Sequence, residues 1–281
     1  MMEIITLIEN DVAHENTGLK SEAGLSLLIK TGSKTILFDT GSSGAFAENA
    51  EKMGIDLTAV DFVIISHAHF DHTGGLERFF KINSTAKVYI KEEAKGQYFY
   101  KILFLKKYIG VNQKVLQAYA DRFVFVKEGF QIDEHIQIVT QISNHHKQPS
   151  DSKHLMAKKD NKLVADDFSH EQMLLISEGE KTYCFTGCSH HGILNMVESA
   201  QQFTKAKKMT VIGGFHMYNP LTKGLSEKKE DVIKTAELLN SNQQIERIAT
   251  GHCTGTGAFV LLKGVLGEKL VQLNTGSRET I

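Results

Sequence analysis

Apolar and polar residues follow two rhythms along this chain. The first part carries short apolar, β-branched runs at residues 4–8, 25–29 and 35–38, each bounded by polar or turn residues, and these predict strands. The turn Asp39-Thr40-Gly41 follows, and the amphipathic stretch 42–53 predicts a helix. Residues 61–66 (DFVIIS) and 88–90 are strand-like again. Helices are predicted at about 92–106 and 112–120, and strands at 123–126 and 136–142. Residues 144–168 are polar and irregular, which predicts a long loop or lid. The rest of the chain alternates strand with helix. Strands are predicted at 173–177, 182–186, 210–212, 245–249 and 269–273, with helices at 193–204, 226–239 and 257–265. A strand-rich front and an alternating back predict an α/β (α+β) fold of mixed sheets with helices outside.

No internal repeat, low-complexity tract or linker interrupts this pattern, and prolines occur only at 149 and 220. The 281 residues therefore read as a single domain, 1–281, with a helical insertion at about 91–122 and a polar loop at about 144–168. Composition is ordinary for a globular chain, with 41% apolar and 23% charged residues. A formal net charge of -1 offers no electrostatic case for a nucleic-acid partner. The local group Lys205, Lys207 and Lys208 reads as a solvated helix end. No stretch of about 18 apolar residues predicts a membrane span, so no membrane partner is expected. The N-terminus lacks the basic and apolar regions of a signal peptide. Three cysteines, Cys184, Cys188 and Cys253, do not make a disulfide framework and suit a reducing, cytoplasmic compartment. There the Asn83-Ser84-Thr85 sequon has no meaning. What departs from the ordinary is histidine, with thirteen residues, several of them clustered.

The densest cluster is Ser66–Gly75, S-H-A-H-F-D-H-T-G-G, directly after a predicted buried strand. Strand ends of α/β sheets are where ligand sites form. His67 and His69 point the same way if the backbone stays extended between them. The following turn then brings Asp71 and His72 round. Imidazoles with a carboxylate suit zinc, iron or manganese better than calcium or magnesium. Three histidines and a carboxylate crowd a single catalytic metal, which must keep an open position, so two metals use the set better. The competing reading is a histidine cluster without metal. Three packed imidazoles would then need other partners.

H-x-H-x-D-H after an apolar strand resembles the metallo-β-lactamase superfamily. The resemblance implies a four-layer αββα sandwich with a dinuclear site at its edge. It also implies that His67 and His69 bind one metal, and that Asp71 and His72 bind the other. Asp39 then stands at the turn where the family carries an orienting carboxylate. Read alone, D-T-G suggests half of an aspartic protease, but that chemistry needs two such carboxylates and the chain has one D-T-G. For the later ligands, His252 ends an apolar run in Gly-His and is assigned to metal two. In Cys184-Phe-Thr-Gly-Cys-Ser-His190, Cys188 stands where the family's bridging carboxylate would be, and His190 could serve metal one. Cys188 also reads as a buried small residue. His216, after Gly213-Gly214-Phe215, reads as substrate-facing, as supporting a ligand, or as structural. His145 and His146 read as exposed, with a lid role as the alternative. Histidines 14, 135, 154, 170 and 191 have no supporting context.

These motifs, with Asp166-Asp167-Phe168 and Glu171-Gln172, resemble one branch of the superfamily in particular, the dihydropteroate-synthase-like metal-dependent hydrolases. That resemblance implies hydrolysis of a small ester, thioester, lactone or phosphoester by water activated by two divalent transition metals. Zinc is expected, with manganese or iron as alternatives, and Asp71 would help to orient the water. The alternative is a transferase joining a pterin-type pyrophosphate to an aryl amine. There the aromatic run Tyr98, Phe99, Tyr100, Phe104 and Tyr108 would offer stacking surface, unless it packs a helix into the core. A non-catalytic metal sensor is a third reading. A diiron redox protein would want a flavin partner, and no flavin domain is recognised in this sequence; a nuclease would want a basic groove.

Overall fold

The computed structural model describes residues 2–13 and 17–280, so His14 lies outside the described residues. The chain forms two compact units. One comprises residues 1–126, 156–164 and 273–281, and the other residues 127–155 and 165–272.

The first unit is built on a seven-stranded sheet. Its order is Arg278–Thr280, Glu3–Ile8, Ser26–Lys30, Thr35–Phe38, Phe62–Ile64, Lys87–Lys91 and Phe123–Val126. The first three pairings are antiparallel and the last three parallel. The central strands are buried on both faces, with Leu27, Leu28, Ile36, Leu37, Val63 and Ile64 wholly inaccessible. That explains why they read as continuous apolar runs rather than as alternation. The helix predicted at 42–53 is Ala45–Lys52, which buries Phe46, Ala47 and Ala50.

The second unit repeats this topology without a legible sequence repeat. Its sheet runs Phe130–Gln131, Ile136–Val139, Met173–Glu178, Lys181–Phe185, Lys208–Ile212, Ile245–Thr250 and Leu270–Gln272. Again three antiparallel pairings are followed by three parallel ones. Helices Ile193–Gln202, Lys229–Ser241 and Gly255–Leu266 make the crossovers. Ile193, Met196, Val197 and Ala200 fall at helical spacing and enter a core with Met173, Val211, Leu239, Ile248 and Leu262. Cys184 belongs to that core, and burial pushes its thiol up to about 12.

Two expectations need correction. The insertion at 91–122 is not mainly helical. A single 3-10 turn, Glu92–Lys95, leads into a hairpin, Tyr98–Ile102 with Leu105–Tyr108, and only Gln113–Ala118 is α-helix. The aromatic run is therefore not a helix face. Phe99 and Tyr108 form a cross-strand pair with ring centroids 5.5 Å apart, and aromatic residues favour such pleated positions. The polar stretch 144–168 is also more regular than expected. It contains a 3-10 turn, Ser150–His154, and the strands Leu155–Lys159 and Lys162–Ala165. Asp160 and Asn161 connect those strands at φ 49° and 61°, the left-handed turn conformation that Asp and Asn tolerate. These two hairpins make a four-stranded sheet. Asn83 of the sequon is buried, and its amide donates to the carbonyls of Leu57 and Val60. Among the described residues, no helix is long and apolar enough to cross a membrane.

Candidate metal centre

The candidate metal-ligating residues and Asp39 lie just past the C-terminal ends of parallel strands. In the first unit Asp39 follows Thr35–Phe38, and the H-A-H-F-D-H turn follows Phe62–Ile64. The backbone of His69 is extended (φ -75°, ψ 149°) and caps the short helix Phe70–Thr73. His67 and His69 then offer ring nitrogens within 4.8 Å of one another, as the i, i+2 spacing requires. One turn on, His72 Nε2 lies 3.8 Å from a carboxylate oxygen of Asp71. His67, His69 and His72 are buried and Asp71 is partly exposed.

The Asp39 turn holds this array. Asp39 Oδ1 accepts the Ser66 backbone N–H at 2.7 Å, and Oδ2 accepts the Ser66 hydroxyl at 2.7 Å. The same Oδ2 lies 2.6 Å from His72 Nδ1, with both side chains wholly inaccessible. A proton on Nδ1 directed at Asp39 leaves Nε2 as the lone-pair nitrogen on the Asp71 side. The neighbouring Thr40 donates both its N–H and its hydroxyl to the His72 carbonyl, at 2.8 and 3.0 Å. Gly74 and Gly75 let the two turns come this close. A Cβ on Gly75 would fall 2.2 Å from the Thr40 carbonyl oxygen, and one on Gly74 2.1 Å from that of Ser42. Gly75→Ala is expected to destabilise by the upper part of the about 1–3 kcal/mol that overpacking costs. A shift in urea midpoint measures this, and an unchanged midpoint contradicts the packing described.

In the second unit, Cys188 and His190 follow Lys181–Phe185, His216 follows Lys208–Ile212, and His252 follows Ile245–Thr250. Donor atoms of Cys188, His190 and His216 lie within 4.8 Å of one another, and so do those of Cys188 and His252. The His190 and His216 rings meet edge to face at 4.4 Å, so His216 stands among the donors rather than apart from them. Both His216 and His252 occupy left-handed backbone (φ 51° and 50°), a costly conformation for these residues that recurs at functional sites.

Asp166, Phe168 and Glu171 stand out in the sequence as motif residues without an assigned role, and the partners His170 and His191 carry no signal. Phe168 stacks on His190 with centroids 4.7 Å apart and planes 6° apart. Asp166 pairs with His170 at 3.1 Å, both inaccessible. Glu171 accepts the backbone N–H groups of His190 and His191, at 2.7 and 3.0 Å, and pairs with His191 Nδ1 at 2.6 Å. Burial alone would raise the Glu171 carboxyl. The His191 hydrogen bond and charge, with the two N–H groups, outweigh burial and hold it below the ordinary carboxylate range. Burial likewise opposes a charge on His191, and Glu171 overrides it, raising the imidazole. Burial would raise the Cys253 thiol as well, yet its contact with Cys188 and the charges of His252 and His216 bring it well below the usual thiol value. The His216 N–H donates to Cys253 Sγ at 3.3 Å. His145 is exposed and pairs with Glu198 at 2.8 Å.

Glu171→Gln is expected to cost about 2–3 kcal/mol, below the about 3–5 kcal/mol of a fully buried pair, because it leaves a partly buried imidazole without its counter-charge. The Glu171 contribution is present above its ordinary value of 4.5 and is lost as pH falls through the lowered folded value. The His191 contribution is present below 6.5 and is lost as pH rises through the raised folded value. Urea unfolding of both chelated proteins across pH should therefore show the widest gap between those two values. A gap that does not vary with pH contradicts the pairing.

Residues 21–199 match the profile of the Metallo-beta-lactamase superfamily. A curated relative from Methanocaldococcus jannaschii is 29% identical, covering 98% of this chain and 95% of its own. It is named 7,8-dihydropterin-6-methyl-4-(beta-D-ribofuranosyl)-aminobenzene-5'-phosphate synthase. Among solved structures, Tm1679, a metal-dependent hydrolase of the beta-lactamase superfamily, superposes with a TM-score of 0.83 at 27% identity, covering 100% of this chain and 99% of its own. Zn(2+)-bound PqqB from Methylobacterium extorquens shares the fold alone, with a TM-score of 0.59 at 11% identity over 99% and 100% of the two chains. By its fold, its strand-end histidines and these likenesses, the chain belongs to the metallo-β-lactamase superfamily.

Proposed function

We propose that this protein is a metal-dependent hydrolase whose two donor sets serve one dinuclear centre. In this reading His67, His69 and His190 hold one metal, and Asp71, His72 and His252 hold the other. Cys188 takes the place of the family's bridging carboxylate in this reading. The donor set fits divalent transition metals, zinc first and manganese or iron as alternatives, because imidazole and thiolate dominate it. When bound, such a pair supplies Lewis acidity and lowers the pKa of a water toward neutrality. The observation that carries the reading is the gathering of buried donors at parallel strand ends, with Asp39 directing one of them. Asp39 is a positioning residue. Asp71, partly exposed, can accept a hydrogen bond from the attacking water. In this reading His216 passes a proton or binds metal, which the closeness of its ring to Cys188 and His190 supports. Small esters, thioesters, lactones and phosphoesters are the substrate classes proposed, without a nucleic-acid partner and in the cytoplasm, where the free cysteines are at home.

A second reading is favoured by one observation, the synthase name of the archaeal relative. In it the same residues would assist departure of pyrophosphate from a pterin-type substrate while an aryl amine attacks. The test is to chelate the protein, restore zinc, manganese or iron, and assay a panel of esters, lactones and phosphoesters. Metal-dependent turnover without amine supports hydrolysis. Pyrophosphate release that requires an aryl amine supports transfer. Stoichiometric metal uptake with neither leaves a sensing role and overturns both.

A further inference from the structure

The hairpin Tyr98–Ile102 with Leu105–Tyr108 breaks local rules at its tip. Ile102 pairs with Leu105, so Leu103 and Phe104 form a two-residue turn. Such turns select Asn, Asp or Gly, because left-handed backbone is needed. Here Leu103 takes that conformation at φ 52°. The tip is also apolar and in water: Leu103, Phe104 and Leu105 are 82%, 88% and 66% exposed. Nothing in the folding of the first unit calls for three large apolar side chains at that place. Departures from local preference without a structural return mark functional positions.

Charge accompanies the apolar tip. Between Glu93 and Asp121 the chain carries Lys95, Lys101, Lys106, Lys107 and Lys114 and no carboxylate side chain. Lys101, Lys106 and Lys107 flank the tip and are exposed. The ammonium groups of Lys106 and Lys107 lie over the rings of Phe99 and Phe70, at 4.7 and 4.8 Å, rather than against an acid.

An apolar tip ringed by lysines fits a surface that is greasy within and negative outside. We infer that this hairpin docks the protein on an acidic phospholipid bilayer, with Leu103, Phe104 and Leu105 entering the interface and Lys101, Lys106 and Lys107 meeting the headgroups. Apolar insertion and electrostatic attraction are both needed for such reversible binding. A second copy of the chain fits less well, since pairing the Leu105–Tyr108 edge with itself would bring like charges together. A nucleic acid would use the lysines and gain nothing from the apolar trio. The expectation of no membrane partner rested on spanning segments, and a surface contact needs none.

The base of the hairpin is tied to the metal-binding turn. The Phe70 N–H donates to the Ile109 carbonyl at 2.8 Å, and the Tyr98 ring meets His69 edge to face at 6.3 Å. Docking would therefore anchor the chain beside its H-A-H-F-D-H turn. The inference does not depend on which reaction that turn supports.

The test is co-sedimentation of the full chain with vesicles of equal parts phosphatidylglycerol and phosphatidylcholine, against phosphatidylcholine alone. Binding is expected only to the acidic vesicles, and it should weaken as salt rises. The chain has no tryptophan, so Phe104→Trp supplies a single reporter whose emission should shift to the blue on those vesicles. The double variant Phe104→Ser/Leu105→Ser, and separately Lys106→Gln/Lys107→Gln, should each lose at least about tenfold in binding while keeping the far-ultraviolet dichroism of the parent. Equal sedimentation with both vesicle types, or an unmoved emission, overturns the inference. So does a concentration-dependent dimer abolished by the serine variant without any lipid effect, or retention of single-stranded RNA by a protein that ignores vesicles.

Discussion

His69→Ala is expected to lose bound metal and catalytic activity together. The side chain is buried, and its ring nitrogen converges with that of His67. The backbone of this residue has a separate task. Its carbonyl accepts the N–H groups of His72 and Thr73, at 3.1 and 3.2 Å, and the Thr73 hydroxyl at 3.1 Å. Alanine keeps those bonds, so the turn should survive while the donor is removed. Lewis-acid stabilisation of the transition state is worth several kcal/mol. At about 1.4 kcal/mol per tenfold in rate, turnover should fall by roughly a thousandfold or more. Metal content by elemental analysis should fall with it, while the unfolding midpoint of the chelated protein changes little. A variant that keeps two full equivalents of metal would remove His69 from the ligand set and with it the proposed centre.

Asp39→Ala should act through position rather than through ligation, and its effect on the fold should be the larger. Three groups converge on this carboxylate, the Ser66 N–H, the Ser66 hydroxyl and His72 Nδ1, all within 2.7 Å and all inaccessible to water. Removing it strands buried donors. The expected cost is about 3–5 kcal/mol of stability, as for one partner of a buried pair. Free of its acceptor, the His72 ring can also turn or change tautomer. Metal affinity, read by competition with a chelator, should drop by about 10–100-fold. Asp39→Asn keeps an acceptor for one of the three donors and should lie between parent and alanine in both measurements. Unchanged metal affinity in a destabilised Asp39→Ala protein would restrict Asp39 to holding the turn.

The parts of the site that could be read in advance are those whose geometry is local. His67, His69, Asp71 and His72 fall within six consecutive positions, and an extended residue followed by one helical turn is enough to bring their donors round. Cys188, His190 and His252 could be proposed because each follows an apolar strand, and parallel strands end on one edge of a sheet. The pattern failed at residues 98–108. There an aromatic and lysine run is compatible with either period, and pairing across the Leu103-Phe104 turn decided for strand. At 155–165 a signal existed in Asp160-Asn161 and was hidden by the polarity around it.

On its own, then, the amino-acid order determined the strand cores, the spacing of the H-A-H-F-D-H turn and membership of a superfamily, because each depends on neighbours a few residues apart. Only the tertiary structure decided that Glu171 neutralises His191, that Asp166 meets His170, that Phe168 covers His190, and that Cys253 lies against His216 and Cys188, residues 37 and 65 positions away. A buried charge or thiol takes its chemistry from whatever the fold places beside it. That partner has no fixed distance along the chain.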